Sequence, residues 1–459
     1  MKTRLIRGIA ALAILQLGAC SLAPAYTRPD LPVPASYPVT TDLQTRAEAL
    51  QWAKYFPDPE LQALIQRALE HNRDLRVAVL RIEEARAQYG IQKADRLPTV
   101  NGTLGYERSR SVLTQGQKFE SDFYRAGVNV TDFELDFFGR VKNLTTAALE
   151  QFLSTQDARE SVQTSLVAEI ATGYVNLLAL NERLAVAQET LQSRQASLNR
   201  IKRRYEGGLD SAIELKTAEI QAKTAEASAS ALTRERAQAL NGLQLLIGDG
   251  EAVQVLPAKS LNRVQVETAA AGLPSQLLEQ RADIRAAEHR LLAANANIGA
   301  ARAAFFPRIQ LTASAGLVND DLLRLVGGGS DRVWSFTPQL VLPIFTAGRN
   351  QANLDLAVVR KDVAVAEYEK TIQTAFREVA DVLVVSRQID DEITLQASIA
   401  EADRERLRLA TRRYERGVAN YLELLDAQRS LYDSEQQLVQ LKQLGLVNRI
   451  NLYKALGGH

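Results

Sequence analysis

The chain has 459 residues, 46% of them hydrophobic, and its 55 basic residues are balanced by 54 acidic ones. This length suits two or three domains, and the composition is typical of a folded protein. The near-zero net charge excludes the strongly basic class of nucleic-acid-binding proteins. Removing residues 1–19 takes away three basic residues and no acid, so the net charge of the remainder is 52 − 54 = −2.

Residues 1–19 have the layout of a secretory signal peptide, with a basic start and an apolar run at Ile9–Leu15. They end in Leu17-Gly18-Ala19 before Cys20, an ending that resembles the lipobox of bacterial lipoproteins. We therefore expect Cys20 to carry a covalent lipid and to become the mature N-terminus; the alternative is an ordinary signal peptide beside an unmodified cysteine. Ser21, in place of Asp, implies sorting to the outer membrane. Cys20 is the only cysteine, so no internal disulfide can form, and we expect no other cofactor.

Residues 20–60 are punctuated by proline, which predicts an extended, lipid-anchored strap rather than a packed element. The prolines are Pro24, Pro29, Pro32, Pro34, Pro38, Pro57 and Pro59.

Two segments alternate apolar and polar residues with the period of two that predicts β-strands. The first hairpin spans about 99–136, with Leu104 on its apolar face, and the second spans about 309–345, with Trp334 and Phe336 on its apolar face. A soluble sheet covered by helices would explain this alternation. An outer-membrane barrel with its apolar face toward lipid would also explain it. After residue 20 no apolar run is long enough for a membrane helix, so any membrane span must be a closed barrel.

Four strands cannot close such a barrel, for which about eight is the minimum. The barrel interpretation therefore requires an oligomer, and two, three or four chains would supply eight, twelve or sixteen strands. Polar loops join the two strands of each hairpin, at Leu113–Ser121 and at Val318–Arg332. The second contains Gly327-Gly328-Gly329, which predicts a flexible loop tip.

Long helices are predicted in two regions that lack proline, between Pro98 and Pro257 and after Pro343. In the first region an apolar residue recurs every seven positions, a coiled-coil seam formed by Leu177, Leu184, Leu191, Leu198 and Tyr205. A helix from Arg140 to Tyr205 would be ~100 Å long at ~1.5 Å per residue, which is several times the length of a usual bundle helix.

The chain contains an internal duplication with an offset of 209 positions. Arg203-Arg204-Tyr205-Glu206 recurs as Arg412-Arg413-Tyr414-Glu415, Pro98 maps onto Pro307, and Gly248 maps onto Gly457. Matches at proline and glycine make chance similarity among helices a poor explanation. We expect a first repeat at 61–249, a linker at 250–273 and a second repeat at 274–459.

Each repeat carries the tip of a helical hairpin, at about 205–211 and 414–420. Gly208 and Gly417 can adopt the left-handed conformation that ends a helix. Ser211 and Asn420 follow as N-caps, each with a Glu three residues later. This is the capping-box arrangement, strictly for Ser211 and loosely for Asn420.

These motifs together resemble the TolC-type outer-membrane efflux channels, in the lipid-anchored, OprM-like branch. The resemblance covers nearly the whole chain after the signal peptide. It rests on Phe56-Pro57-Asp58-Pro59-Glu60-Leu61, Leu97-Pro98, Phe306-Pro307, Asp136-Phe137-Phe138-Gly139-Arg140, Pro343-Ile344-Phe345, Gly348-Arg349 and the run from Tyr421-Leu422-Glu423-Leu424-Leu425 to Asp426-Ala427-Gln428-Arg429.

The resemblance implies a mainly α-helical fold in which a trimer forms a 12-stranded transmembrane β-barrel and a periplasmic α-barrel of coiled-coil hairpins, with the linker in an equatorial belt. It implies an exit duct for drugs or other small molecules in a three-part pump. The implied partners are a periplasmic adaptor, an inner-membrane transporter of the resistance-nodulation-division type and outer-membrane lipid.

The resemblance also implies a periplasmic gate at the tip of the second repeat. Carried over position by position, the gate residues are Tyr414, Leu422, Asp426 and Arg429. Asp426 and Arg429 are three positions apart on one helix face, so we expect them to pair locally or with a neighbouring protomer; the alternative is a solvated surface pair. The first repeat has Thr217 and Ile220 at these two positions.

Other function classes have little support. His71, His289 and His459 are scattered, without metal-ligand spacing, and the chain has no phosphate-binding glycine loop or nucleophile elbow. We therefore expect no enzyme and no metal site. Two alternatives remain: a structural lipoprotein that braces the cell envelope, and an outer-membrane conduit of type I protein secretion. The amphipathic hairpins favour a channel over a brace.

Overall fold

The computed structural model of the chain describes residues 21–38, 50–112, 118–253, 260–269, 272 and 274–459. The predicted signal peptide and Cys20 lie outside the described residues, as does most of the loop predicted at 113–121. In chain order the helices and strands are α1 Trp52–Tyr55, α2 Pro59–His71, α3 Arg73–Ala94, β1 Val100–Val112, β2 Lys118–Leu135, α4 Arg140–Glu206, α5 Ala212–Ile247, α6 Leu277–Gln280, α7 Ala282–Ala303, β3 Arg308–Asn319, α8 Leu322–Gly327, β4 Asp331–Val341, α9 Arg349–Glu415 and α10 Tyr421–Ala455, with 3-10 turns at Leu261–Arg263 and Pro274–Gln276.

The four strands form one antiparallel sheet in the order β1-β2-β3-β4. The two β-hairpins meet at the centre of the sheet, where β2 pairs with β3. There Val128 of β2 lies opposite Ala315 of β3, and Ala315 lies opposite Trp334 of β4. The neighbouring row, displaced by one residue, is polar and joins Asn129, Ser314 and Ser335. The register therefore collects the apolar residues of all four strands on one face, which confirms the predicted alternation.

The apolar face of the sheet is exposed in the single chain. Leu104, Trp334 and Phe336 each retain more than half of their accessible surface. Among the described residues no helix covers these side chains, so the alternative of a soluble sheet covered by helices does not hold for this face. A large exposed apolar surface of this kind requires an apolar environment or a partner.

The pairing of β2 with β3 contains one irregularity. The register shifts between Val130 and Phe133, and Asp132 has a positive φ of 53°. The Asp132 backbone N–H donates to Thr312 Oγ1 at 3.3 Å. A bulge of this type bends a strand and increases its twist locally.

The loop between β3 and β4 contains a short helix, α8, that was not predicted from the sequence. Asp321 caps the N-terminus of α8 by accepting a hydrogen bond from the Leu323 N–H (2.8 Å), and Gly328 ends the helix with a φ of 93°. The glycine triplet therefore lies at the end of a short helix, and its flexibility stays a prediction.

The two long helices confirm the predicted continuity, since α4 and α9 have 67 residues each. Leu177 is fully buried, and Leu184, Leu191 and Leu198 pack against apolar clusters, as expected for a seam. Tyr205 is the exception, because its side chain is 43% exposed. The helix ends one residue after it, at Glu206.

The predicted strap differs from the structure at its C-terminal end. Residues 21–38 have no regular secondary structure, as expected, but α1 and the start of α2 lie within the range 20–60. Pro59 occupies the first turn of α2, where a missing N–H costs nothing, and Asp58 caps the helix through the Glu60 N–H (3.1 Å). Proline at this position starts a helix.

The chain forms two compact units, and neither coincides with a repeat. The first comprises the described residues up to Asp30 with Arg81–Gln156 and Ala286–Glu369, and it contains the sheet. The second comprises Leu31–Leu80, Asp157–Arg285 and Lys370–His459, and it contains both hairpin tips. Its main core includes fully buried Leu61, Ile65, Tyr174, Leu177, Ile247 and Tyr453. Within the described part of the chain, no helix is long and apolar enough to cross a membrane.

Candidate functional site: the paired helical tips

Both hairpin tips lie in the second compact unit, and both begin with the same helix ending. Gly208 and Gly417 have φ values of 75° and 72°, which confirms their predicted left-handed conformation. At the first tip the Leu209 N–H donates to the Arg204 carbonyl (2.8 Å), and at the second tip Val418 and Arg413 form the equivalent bond (3.0 Å). This pattern is a Schellman motif, which satisfies the last carbonyl groups of each helix.

The helices that follow the tips are capped differently. At the first tip Ser211 and Glu214 form the complete capping box, in which each side chain accepts from the backbone of the other. At the second tip Asn420 Oδ1 accepts from the Glu423 N–H (3.1 Å), but the Glu423 carboxylate instead accepts from Arg413 Nε (2.8 Å). Both predicted N-caps are therefore confirmed, and the capping box is complete only at the first tip. Because Arg413 lies in the last turn of α9, its ion pair joins the two helices of that hairpin.

Tyr414 anchors the two tips to each other. Its side chain is 8% exposed and packs in one apolar cluster with residues of both hairpins, namely Ile201, Ala218, Tyr421, Leu424 and Leu425. Burial raises the pKa of the Tyr414 phenol above its ordinary value, so the ring is neutral at physiological pH. Within one chain, Tyr414 is thus a core residue of the tip.

Charged contacts join the tips around this cluster. The Arg204 guanidinium binds the Asp210 carboxylate (3.0 Å) and lies 6.0 Å from the centre of the Tyr414 ring. Arg200 Nη1 lies 3.3 Å from Glu415 Oε1, which links the end of α4 to the end of α9. These contacts were not predicted from the sequence, although Arg204 and Glu415, which take part in them, belong to the two copies of the Arg-Arg-Tyr-Glu motif.

The other three predicted gate residues lie on the exposed side of α10. Leu422 is 64% exposed, and Arg429 is also exposed. Asp426 forms an ion pair with Arg406 of α9, and the second amino group of Arg406 donates to Ser430 Oγ (3.2 Å). Asp426 and Arg429 therefore do not pair locally, because the facing helix supplies a better-placed cation. Arg406 was not predicted, since its spacing of 20 residues from Asp426 has meaning only once the hairpin is formed.

The first tip lacks this charged arrangement, as its sequence indicates. Thr217 donates its hydroxyl to the Ile213 carbonyl of its own helix (2.8 Å), and Ile220 is exposed. Exposed apolar side chains also lie at both tips, namely Leu209, Ile213, Val418 and Leu422.

We expect Gly417→Ala to lower the stability of the protein. The backbone at residue 417 has a left-handed φ, and a left-handed conformation costs an L-residue about 1–2 kcal/mol. No atom lies within 4 Å of the added Cβ, so conformational strain is the only cost. Chemical denaturation of the purified protein measures the effect.

Gly242→Ala is the matched control, because Gly242 lies inside α5 with equally open space around its Cβ position. There alanine should raise stability by about 0.5–1 kcal/mol. Equal shifts of the same sign in both variants would contradict the role of Gly417 as a helix terminator.

The fold and the site together define a class of protein: a duplicated pair of long helical hairpins with paired tips, joined to a four-stranded sheet whose apolar face is exposed. A family profile described as "Outer membrane efflux protein" matches residues 64–249 and 273–458. The two matches begin 273 − 64 = 209 residues apart, which is the offset of the duplication. The chain therefore belongs to the outer membrane efflux protein family, and the internal duplication is confirmed.

Individual relatives are similar to this chain over nearly its full length. The chain is 44% identical to outer membrane protein OprJ of Pseudomonas aeruginosa over 458 residues, 98% of this chain and 95% of that protein. It is 42% identical to the toluene efflux pump outer membrane protein TtgC of Pseudomonas putida, covering 99% and 96% of the two chains. The crystal structure of the open state of the MtrE outer membrane channel of Neisseria gonorrhoeae matches with a TM-score of 0.85 at 38% identity, over 96% and 98% of the chains. The protein is an outer-membrane efflux protein, as the sequence resemblance implied.

Proposed function

We propose that this protein is the passive exit duct of a three-part efflux pump and that three copies form the duct. The observation that carries this proposal is the sheet: one chain supplies four strands with a continuous exposed apolar face, and β1 and β4 are its two edges. An unpaired edge is a template for another strand, and about eight strands are needed for closure. Three copies joined from β4 to β1 give twelve strands, with the row of Asn129, Ser314 and Ser335 facing the lumen.

The exported compounds are, in this proposal, drugs or other small molecules. Relatives are named for antibiotic, solvent and toluene efflux, which favours this class of cargo. The partners that select and drive the cargo are a periplasmic adaptor and an inner-membrane transporter of the resistance-nodulation-division type. The exposed Leu209, Ile213, Val418 and Leu422 give the adaptor an apolar surface on the tips.

The trimer is tested by the mass of the complex and by its conductance. Protein extracted in a mild detergent should have the mass of three chains, and planar bilayers that contain it should show ion-conducting steps. A stable folded monomer, or a trimer that never conducts even when its tips are opened by substitution, would contradict the duct.

We also propose that a lipid on Cys20 anchors each chain to the outer membrane. The support is the Leu17-Gly18-Ala19-Cys20 sequence. The intact mass of the mature chain should correspond to an acylated protein beginning at Cys20, and Cys20→Ser should abolish the added mass. An unmodified chain that begins elsewhere would show an ordinary signal peptide.

The gate is proposed at the tip of the second repeat, with Leu422, Asp426 and Arg429 facing their copies in neighbouring protomers. All three side chains are exposed in the single chain, so they are available for contacts between chains. Tyr414 contributes indirectly, because its buried ring fixes the position of α10 against the first tip.

A further inference from the structure

A polar cavity of about 350 Å³ lies in the second compact unit among α4, α5 and α10. Its charged lining consists of Arg194 from α4 and of Arg429 and Asp433 from α10, and hydroxyl groups of Thr190, Thr224 and Tyr432 complete the polar wall. The lining therefore carries two cations and one anion, a net charge of +1. A cavity of this size in a helical bundle is within the range of small-ligand sites.

Arg194 is the unusual member of the lining. It is only 6% exposed, yet it forms no ion pair within the described part of the chain. Nη1 donates to the Gln221 carbonyl at 3.3 Å, whereas Nε is buried without an acceptor. Desolvation, and then the nearby charge of Arg429, lower the pKa of the guanidinium, while Asp433 and two tyrosines act in the opposite direction.

A buried cation without a counter-charge is destabilising, and proteins normally pair such groups. Arg281, the other arginine that is buried in the described part of the chain, follows that rule, since it binds both Asp283 and Glu378. Asp433 is the acid that lines the cavity, and it is exposed and forms no ion pair with either arginine in the described residues. The counter-charge of Arg194 is therefore missing from the chain around it.

We propose that this cavity binds a small oxyanion, with Arg194 as its principal ligand and Arg429 as the second. A guanidinium presents a planar fork of donors that matches the oxygen atoms of phosphate, sulfate or a carboxylate. The hydroxyl groups of Thr190 and Tyr432 have no hydrogen-bond partner in the described structure and are available as further donors. Because Arg429 is also a proposed gate residue, the bound anion would fix the position of one gate side chain.

Equilibrium dialysis of the full-length protein in detergent against radiolabelled inorganic phosphate tests this proposal. The ionic strength is held constant with sodium chloride, whose anion is not an oxyanion, so that general screening does not change. We expect one saturable phosphate per chain. Arg194→Met should raise the Kd at least about tenfold, because the anion would lose its hydrogen bonds to a charged donor. Arg408→Met is the matched control, since Arg408 is exposed on α9 and pairs locally with Glu405, and it should leave the Kd unchanged.

Asp433→Asn gives a second test, in which the Kd for phosphate should fall rather than rise. Because Asp433 is exposed, this substitution leaves every buried side chain in place. Removing the repelling carboxylate should tighten phosphate binding about threefold. Absence of saturable binding in the unchanged protein, or equal losses in Arg194→Met and Arg408→Met, would overturn the proposal. If a carboxylate of a neighbouring copy occupies the cavity instead, phosphate will not bind and Asp433→Asn will have no effect, which also overturns it.

Discussion

Phe336→Arg is expected to prevent stable insertion of the protein into the outer membrane. Phe336 lies at the centre of β4, in the apolar row with Ala313 and Val130, and 61% of its surface is exposed in the single chain. If that face contacts lipid, an arginine near the midplane of the membrane destabilises the barrel by about 2–4 kcal/mol per chain. In a trimer the three arginines together destabilise it by about 6–12 kcal/mol. That cost is comparable to the whole stability of a typical domain. The measurement is the fraction of protein that fractionates with the outer membrane as a heat-resistant trimer.

Ser335→Arg is the matched control, because Ser335 precedes Phe336 on the same strand and faces the opposite side of the sheet. It lies in the polar row, where its hydroxyl and that of Ser314 are 2.8 Å apart. An arginine there would point into a water-filled lumen, so the trimer should form in normal amounts and only its conductance and ion selectivity should change. Normal insertion of Phe336→Arg, or equal failure of both variants, would show that the apolar face is not the lipid face.

The sequence predicted the features of this fold that depend on local patterns. The alternation in β1 to β4, the length of α4 and α9 and the left-handed Gly208 and Gly417 are all confirmed. Each of these follows from periodicity or from the steric freedom of one residue type. The errors arose where a residue type permits two outcomes. Pro59 starts a helix and does not extend a strap, and Gly328 ends a short helix within a segment that was predicted as a loop.

The contacts of the site were less predictable because they join helices that are distant in sequence. Asp426 and Arg429 share a helix face, which made a local pair the simplest expectation, but Arg406 on the facing helix takes the carboxylate. Arg194 looks like any arginine of a solvated helix, and only the packing of three helices shows that it is buried. Tyr414, predicted as a gate residue, has its ring inside the tip cluster for the same reason.

Replacing Asp426 and Arg429 together by alanine is expected to open the channel at rest. If the two side chains pair between protomers, each pair contributes at most about 1 kcal/mol at an exposed site, and three pairs contribute about 3 kcal/mol. Since 1.4 kcal/mol corresponds to a factor of ten, the ratio of closed to open channels should fall by up to about a hundredfold. The double substitution removes both charges and leaves neither of the two unpaired. The mean single-channel conductance in planar bilayers should rise accordingly, and high salt should reproduce part of the rise in the unchanged protein because ions screen exposed pairs.

Arg406→Ala distinguishes a gate between protomers from a merely loosened hairpin. In the single chain Arg406 holds the Asp426 carboxylate, so it competes with any Arg429 of a neighbouring protomer. Removing Arg406 frees Asp426 for the neighbour, and the resting conductance should then fall, opposite in sign to the double alanine variant. If the gate depended only on the stiffness of the α9–α10 hairpin, both variants would weaken it and both would raise the conductance. An unchanged conductance in an intact trimer of the double variant would leave Asp426 and Arg429 as ordinary surface charges, and the closed state would then depend on apolar contacts such as those of the exposed Leu422.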